Sequence, residues 1–173
     1  MSVDGIPRVE PLLPADAATR AVRRAFATPV LGRLLVYAAP YVDRLLHALA
    51  RGRFGRWLPL PFASMTTTGA KSGLPRASAV LYFHDGDDVI LIASNYGRPR
   101  HPAWYYNLRA HPHATLARGP GAGAYHASEV TDAGERERLF ALCKIIYPGF
   151  AVYRVRTARI GRRIPVMRLR PSS

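Results

Sequence analysis

Residues 65–73 read Met-Thr-Thr-Thr-Gly-Ala-Lys-Ser-Gly, and the interpretation of the whole chain starts from this stretch. The three threonines predict an extended strand, because β-branched side chains are stiff and pack well on a pleated surface. Gly69 and Gly73 predict a turn directly after it. Lys71 and Ser72 lie between the two glycines. A cation and a hydroxyl beside turn backbone are suited to bind an anionic group such as a phosphate.

A plain hairpin turn with Lys71 in solvent accounts for the same residues, and the sequence leaves that alternative open. The stretch is not a P-loop, since Ala70 stands where that motif needs a glycine before the lysine. One observation favours a specific role for Lys71. Lys71 and Lys144 are the only lysines among 25 basic residues, so arginine is the usual surface cation of this chain.

Short strand-like segments separated by turn signals predict a mainly β domain, an antiparallel sheet closed on itself with peripheral helices. The predicted strands are residues 63–68, 76–84, 88–94, 114–117, 125–131 and 164–169. Asp85, Gly86 and Asp87 predict a hairpin between the second and third of them. Helices are predicted over residues 101–110 and 132–146. The second has its acidic residues early and Lys144 late, as the helix dipole favours.

Residues 1–60 are predicted to be a tail and helical extension, and residues 61–173 the barrel domain. The tail, residues 1–14, has no periodicity and is expected to be extended. Helices are predicted over residues 16–26 and 30–50, the latter apolar on one face and interrupted by Pro40. Its charge-free run covers residues 34–42, far short of the ~20 residues that a membrane span needs.

Basic and aromatic residues alternate between residues 51 and 62, with arginines at 51, 53 and 56 and rings at 54, 57 and 62. Such a pattern is typical of a segment that contacts an anionic membrane surface. A linker folded back onto the barrel is an equally open alternative. Nucleic-acid binding is the weakest alternative, because no recognised nucleic-acid module accompanies the charge.

The net charge of +14 predicts an anionic partner, although an arginine-rich surface explains it as well. No acidic residue occurs between Arg44 and His84 or between Val89 and Ser128. These windows contain residues 65–73 and 94–108, the two stretches proposed to form a cofactor cradle. Cys143, the single cysteine, is expected in the core and fits a reducing, cytoplasmic location. No secretory signal is recognised at the start of the chain. His111 and His113 lack further ligands nearby, so no metal site is predicted.

Four segments in this order resemble the deazaflavin (F420)-dependent nitroreductase and quinone reductase family. They read TTTGAKSG, PRASAVLY, IASNYGRPRHPAWYYNLRAHP and YPGFAVY. The resemblance covers residues 65–169 and implies a single split β-barrel of the flavin-binding type. It also implies coenzyme F420 as cofactor and an electron-poor acceptor such as a quinone, nitroaromatic or activated alkene.

The resemblance implies site residues as well. The implied cofactor-binding residues are Ala70, Lys71, Ser72, Arg76, Ala77, Ser78, Ala79, Val80, Leu81, Ile92, Ala93, Ser94, Asn95, Ala103, Trp104, Tyr105, Tyr106, Asn107 and Phe150. Ser94, Tyr147 and Tyr153 are the candidate catalytic residues, the tyrosines belonging with Phe150 to a flexible aromatic lid on the acceptor side. Two positions depart from the family, since relatives often have a basic residue in place of Ala70 and can have a tyrosine in place of Phe150.

The implied reaction is hydride transfer from reduced F420, with the protein supplying orientation, exclusion of water and hydrogen bonds. Peripheral contact with an anionic membrane through residues 30–62 is expected to give access to lipid-soluble quinones. The chain is expected to be a monomer or homodimer. Two other functions remain open, a flavin- or haem-binding split barrel and a non-catalytic basic module at a membrane surface.

Overall fold

The computed structural model describes residues 2–3, 6–11, 17, 20–21 and 61–172. The strands with both ends in these residues are β1 (Ser2–Val3), β2 (Ile6–Pro7), β3 (Phe62–Thr68), β4 (Pro75–Asp85), β5 (Asp88–Ile92), β6 (His113–Arg118), β7 (Gly121–Glu129) and β8 (Val166–Pro171). The α-helices are α1 (Ala103–Ala110), α2 (Ala133–Ile146) and α3 (Gly149–Ala158), and a 3-10 turn covers Asn95–Gly97.

Strands β3 to β8 form a closed antiparallel barrel in the order β3-β4-β5-β8-β7-β6. The register pairs Met65 of β3 with Ser78 of β4 on one side and with Leu116 of β6 on the other. This architecture confirms the predicted mainly β, split-barrel fold. The end of the barrel where β3 finishes and β4 starts is called the open end below.

Two apolar clusters stabilise the barrel. The inner one fills its interior with side chains such as Met65, Tyr82, Leu91 and Leu116, all fully buried. The outer one covers β5 and β8 with α2 and α3. Strand β5 is therefore buried on both faces, with Leu91 inside and Ile90 outside. Each such side chain contributes ~1.5–3 kcal/mol relative to exposure.

The described residues 2–3 and 6–10 of the N-terminal tail are extended, as predicted, but the tail also docks on the barrel. Ile6 is fully buried in the inner cluster, and Val9 packs against both clusters. The Val9 N–H donates to His84 Nδ1 at 3.0 Å, and the Tyr82 hydroxyl donates to the carbonyl of Pro7 at 2.8 Å. Residues 6–9 thus belong to the folded domain, which the sequence did not predict.

Other boundaries differ for local reasons. Strand β5 ends at Ile92 rather than residue 94, because the chain turns through Asn95 and Tyr96, which both have positive φ. Helix α1 starts at Ala103, after the extended Pro102.

The largest difference from the sequence-based prediction is helix α3. Residues 147–153 were predicted as a flexible lid, but Pro148 starts a helix that contains Phe150 and Tyr153. A proline fits before the first helical turn, where no donor is needed.

Of the helix predicted over residues 16–26, residues 17, 20 and 21 are described and are helical. The apolar helix predicted over residues 30–50 lies outside the described residues. The basic and aromatic segment does too, except that Phe62 begins β3.

Candidate functional site

Hydrogen bonds within the turn and from α1 fix the conformation of the turn between β3 and β4. Gly73 N–H bonds to the Gly69 carbonyl at 2.8 Å, and Gly73 has a φ of +66°, which suits glycine. Asn107 of α1 accepts a hydrogen bond from the Ala70 N–H at 3.0 Å. The same side chain donates to Thr67 Oγ1 at 3.0 Å, and Asn107 is buried. Lys71 and Ser72 are exposed on this turn, residues 69–73, which is called the braced turn below.

The first half of β4 has one partner strand among the described residues. It pairs with β3 along its length, but its register with β5 covers only Tyr82 to Asp85. The Tyr82 N–H bonds to Pro61 on the β3 side, so alternation directs the backbone groups of Ala77 and Ala79 away from β3. These two residues and Ser78 are small and at least partly exposed. A flat ligand could therefore approach this backbone closely.

The loop after β5 lies at the same end and is held by Arg162. Its guanidinium donates to the carbonyls of Ala93 at 2.9 Å and Ser94 at 3.1 Å, and its Nε donates to His101 Nδ1 at 3.2 Å. Burial lowers the pKa of Arg162 from its ordinary value. Burial, followed by the charge of Arg162, also lowers the pKa of His101. His101 is therefore held as a neutral hydrogen-bond acceptor at neutral pH.

The candidate acceptor residues form a buried aromatic cluster beside this loop. The hydroxyls of Tyr147 and Tyr153 are 3.1 Å apart, and Phe150 packs edge-on against both rings. Tyr96, in the loop after β5, contacts the Tyr153 ring at a centroid distance of 6.2 Å. Burial raises the pKa of both Tyr147 and Tyr153. Both phenols therefore stay protonated at neutral pH and can donate.

Charge is unevenly distributed along the barrel axis. The loops at the open end carry Lys71, Arg98 and Arg100. The opposite end has Asp85, Asp87 and Asp88 in the hairpin between β4 and β5. Asp85 and Asp88 are paired there with Arg168. An anionic ligand would accordingly be attracted to the open end.

Comparison with known proteins gives the family. A family model described as F420H(2)-dependent quinone reductase matches residues 44–171, well over half of the chain. The chain belongs to the F420H(2)-dependent quinone reductase family. Among curated relatives, an F420H(2)-dependent quinone reductase of Mycobacterium tuberculosis is 42% identical over 82 residues, which is 44% of this chain and 55% of that protein. The chain thus matches about half the length of this relative.

Solved structures agree with this family assignment. An F420-H2 dependent reductase called FDR-A has 34% identity and a TM-score of 0.56, over 63% of this chain and 93% of its own. A structure described as a domain-swapped dimer has the same identity and TM-score, over 63% of this chain and 79% of its own. The resemblance to F420-dependent enzymes inferred from the sequence motifs is confirmed at the level of family and fold.

The structure of this quinone reductase family member brings most of the predicted site residues to one end of the barrel. Ala70, Lys71, Ser72 and Asn107 meet at the braced turn, and residues 76–81 follow directly on β4. Ile92, Ala93, Ser94 and Asn95 form the end of β5 and its loop. On α1, Ala103 and Tyr106 are exposed, whereas Trp104 and Tyr105 belong to the inner cluster.

Two parts of the predicted site are less accessible than expected. Trp104, predicted to bind the cofactor, is 8% exposed and packs in the barrel interior. Tyr147, Phe150 and Tyr153 are each 5% exposed or less, within the cluster under α2 and α3. Tyr96 contacts the Tyr153 ring, and the same outer cluster contains Ile92 and Leu81 of the predicted cofactor site. Their catalytic role remains a prediction.

Sequence reasoning missed Arg162 and His101 as residues that hold the site. Arg162 is one of 23 arginines, and nothing in its local pattern distinguishes it. The signal lies in the fold, where this guanidinium is 9% exposed and, among the residues that the structure describes, donates only to neutral acceptors. No group of three or more potential metal ligands occurs among residues 61–172 and the described tail. In the same part of the chain, no helix is long and apolar enough to cross a membrane.

Proposed function

We propose that this chain binds reduced coenzyme F420 at the open end and transfers a hydride to a quinone. The observation that carries the proposal is the braced turn beside a half-paired β4, within a chain of the F420H(2)-dependent quinone reductase family. Small residues on β4 leave its backbone approachable by a flat ring system. The exposed Lys71 and Ser72 at the end of that strand suit a phosphate attached to the same cofactor.

The residues at the site fit such a cofactor. The outward-directed backbone groups of Ala77 and Ala79 would bond to the polar edge of a ring, and Lys71 with Ser72 would bind the phosphate. Ser94 and Asn95 would bound the ring from the loop that Arg162 holds. When bound, reduced F420 supplies the hydride and the protein supplies orientation.

The acceptor would lie against the aromatic cluster. A quinone oxygen gains negative charge as the hydride arrives, and a neutral phenol can stabilise it by donating a hydrogen bond. In the Tyr147 and Tyr153 pair one hydroxyl donates to the other at 3.1 Å, and either phenol is a candidate donor to an acceptor oxygen. Burial keeps both phenols protonated and excludes water around them.

Cofactor titration tests the binding half of this proposal. Purified full-length chain is titrated separately with F420, FMN and haem, with fluorescence or absorbance as the signal. Binding of F420 at least tenfold tighter than that of FMN or haem supports the proposal. Tighter binding of FMN or haem would identify the chain as a flavin- or haem-binding barrel and contradict it.

The acceptor range is a further part of the proposal. Quinones are the acceptors named for the family, and nitroaromatics and activated alkenes share their electron-poor character. We expect anaerobic oxidation of reduced F420 with a short-chain quinone to exceed, in kcat/KM, that with a nitroaromatic or an activated alkene. A higher kcat/KM with either of the other two classes would make the quinone a secondary acceptor.

A cytoplasmic location with peripheral membrane contact through residues 30–62 completes the proposal, since it would give access to lipid-soluble quinones. Each basic residue near an anionic surface contributes ~1 kcal/mol of attraction, so binding should depend on salt. Because Ile6 is buried in the core, truncation of residues 1–60 would damage the barrel. The cleaner variant is the triple substitution Arg51→Gln, Arg53→Gln and Arg56→Gln.

Co-sedimentation with anionic vesicles at low salt is the measurement. A charge-matched control changes the exposed Arg20, Arg159 and Arg170 to Gln. Loss of pelleting in the first triple variant but not in the control supports membrane contact through residues 51–56. Equal pelleting of the two variants would show that the attraction is a property of the overall charge.

A further inference from the structure

A second concave region lies between α2, α3 and the segment that joins α3 to β8. It is a cleft of about 160 Å³ that contains no residue of the braced turn or of β4. Four of its lining residues are arginines and one is acidic. They are Arg136, Arg154, Arg162, Arg163 and Glu137, with Phe140 on the wall. The cleft is therefore strongly cationic even within a basic protein.

Only two of these four arginines form a close ion pair with a described carboxylate. Arg154 binds Glu137 through two contacts, of 2.6 and 2.9 Å. Arg163 binds Glu129 at 3.1 Å. Arg136 lies 3.9 Å from Glu137, whose two oxygens are already bound by Arg154. Within the described part of the chain, Arg162 bonds only to two carbonyls and a neutral imidazole. Among the described residues, two guanidinium groups in the cleft thus have no carboxylate to themselves.

Two cations in this position are costly without an anion. Arg162 is 9% exposed, and the Arg136 side chain is 18% exposed. Removing a charge from water is expensive unless an opposite charge compensates it. The nearby Arg154 and Arg163 add repulsion that their own carboxylates only partly cancel. An anion entering the cleft would relieve both effects.

We infer that this cleft is a second binding site, for a small oxyanion of the phosphate or carboxylate class. A guanidinium presents parallel N–H donors that match two oxygens of such an anion. The cleft volume is several times the ~30 Å³ that one molecule occupies in liquid water, so a phosphate-sized group fits. The inference depends on the charges of the cleft and holds whether or not the chain reduces quinones.

Calorimetric titration of the full-length chain with inorganic phosphate tests the site, with chloride holding the ionic strength constant. A parallel titration with succinate distinguishes a phosphate from a carboxylate ligand. The diagnostic variant is Arg136→Gln. The matched control is Arg159→Gln, an exposed arginine after α3 that does not line the cleft.

We expect one equivalent of phosphate or succinate to bind the wild type and Arg159→Gln equally, and Arg136→Gln at least tenfold more weakly. Lys71→Ala should keep the equivalent that binds in the cleft, because the cleft and the braced turn share no residue, whereas any phosphate held by Lys71 at the turn would be lost. Equal affinity of the Arg136 and Arg159 variants would overturn the inference. So would loss of binding in Lys71→Ala, which would locate the anion at the turn.

A measurement on the wild type alone covers the case in which Arg136→Gln fails to fold. The arginine Nε–H signals in NMR spectra should shift saturably for Arg136 and Arg162 with one common Kd, while that of Arg159 stays constant. Equal, unsaturated shifts of all three signals would show general attraction of anions to a basic surface and would overturn the site.

Discussion

Asn107 and Ala70 connect helix α1 to the turn that carries Lys71. The Ala70 N–H donates to Asn107 Oδ1 at 3.0 Å, and the amide nitrogen of Asn107 donates to Thr67 Oγ1 at the same distance. A buried side-chain amide thus fixes a turn that is itself exposed. The conformation of the proposed phosphate cradle consequently depends on a residue that need not touch the phosphate.

Substitution Asn107→Ala should therefore weaken both stability and F420 binding. It removes the Asn107 partner of the Ala70 N–H and of the buried Thr67 hydroxyl, and such a loss typically costs about 1–3 kcal/mol for a buried group. Urea unfolding measures the free energy of unfolding, and F420 fluorescence measures the affinity. Ala110→Ser, at the exposed end of the same helix, is the control. Unchanged F420 affinity in a folded Asn107→Ala variant would contradict the role of the brace.

Lys71→Ala should weaken F420 binding by about tenfold or more, since a charge-assisted contact to phosphate would be lost. Lys144→Ala is the matched control, because Lys144 is the other lysine and is exposed near the end of α2. Fluorescence titration at fixed ionic strength gives both dissociation constants. Equal constants for the two variants would remove the phosphate role of Lys71.

Tyr147→Phe and Tyr153→Phe should each lower turnover while F420 affinity stays within error. Each variant also leaves one buried hydroxyl without its 3.1 Å partner. The double variant removes both hydroxyls, so its loss of stability should be smaller than the sum of the single losses. Steady-state kinetics with a quinone and urea unfolding provide the measurements. Loss of F420 binding in proportion to activity would place the tyrosines on the cofactor side.

Acid should loosen the tail through His84. Burial, with the charge of Arg8, lowers the pKa of His84 below its ordinary value of 6.5. The unfolded chain then binds this proton more readily than the folded chain does. The contribution to stability is constant above pH 6.5 and is lost as the pH falls through the lower, folded-state pKa.

The variant His84→Asn isolates this effect, since its amide oxygen can still accept the Val9 N–H that His84 Nδ1 accepts. Thermal unfolding is compared at mildly alkaline and mildly acidic pH. We expect the melting temperature of the wild type to fall more on acidification than that of His84→Asn. Equal falls would assign the acid sensitivity to other groups, such as His101, whose pKa burial also lowers.

Local signals sufficed for the barrel and the cradle turn. Threonine-rich β3 and the Asp-Gly-Asp hairpin form as predicted, and Asp132 caps α2 by accepting the Glu135 N–H at 2.7 Å. The pairing of Tyr147 with Tyr153 and the buried bonds of Arg162 were not predictable, because they join elements far apart in sequence or within an unrecognised helix. The docking of Ile6 was missed for the same reason, since a lone apolar residue in a short tail has no periodicity.

Anaerobic mixing of the full-length chain with reduced F420 and a short-chain quinone tests the central claim most directly. The absorbance of oxidised F420 reports the reaction as it proceeds. The account predicts that oxidised F420 appears in proportion to enzyme, that the rate saturates with quinone, and that Lys71→Ala needs more F420 for the same rate while Lys144→Ala does not. Binding of F420 without any oxidation by the quinone above the protein-free rate would contradict the account.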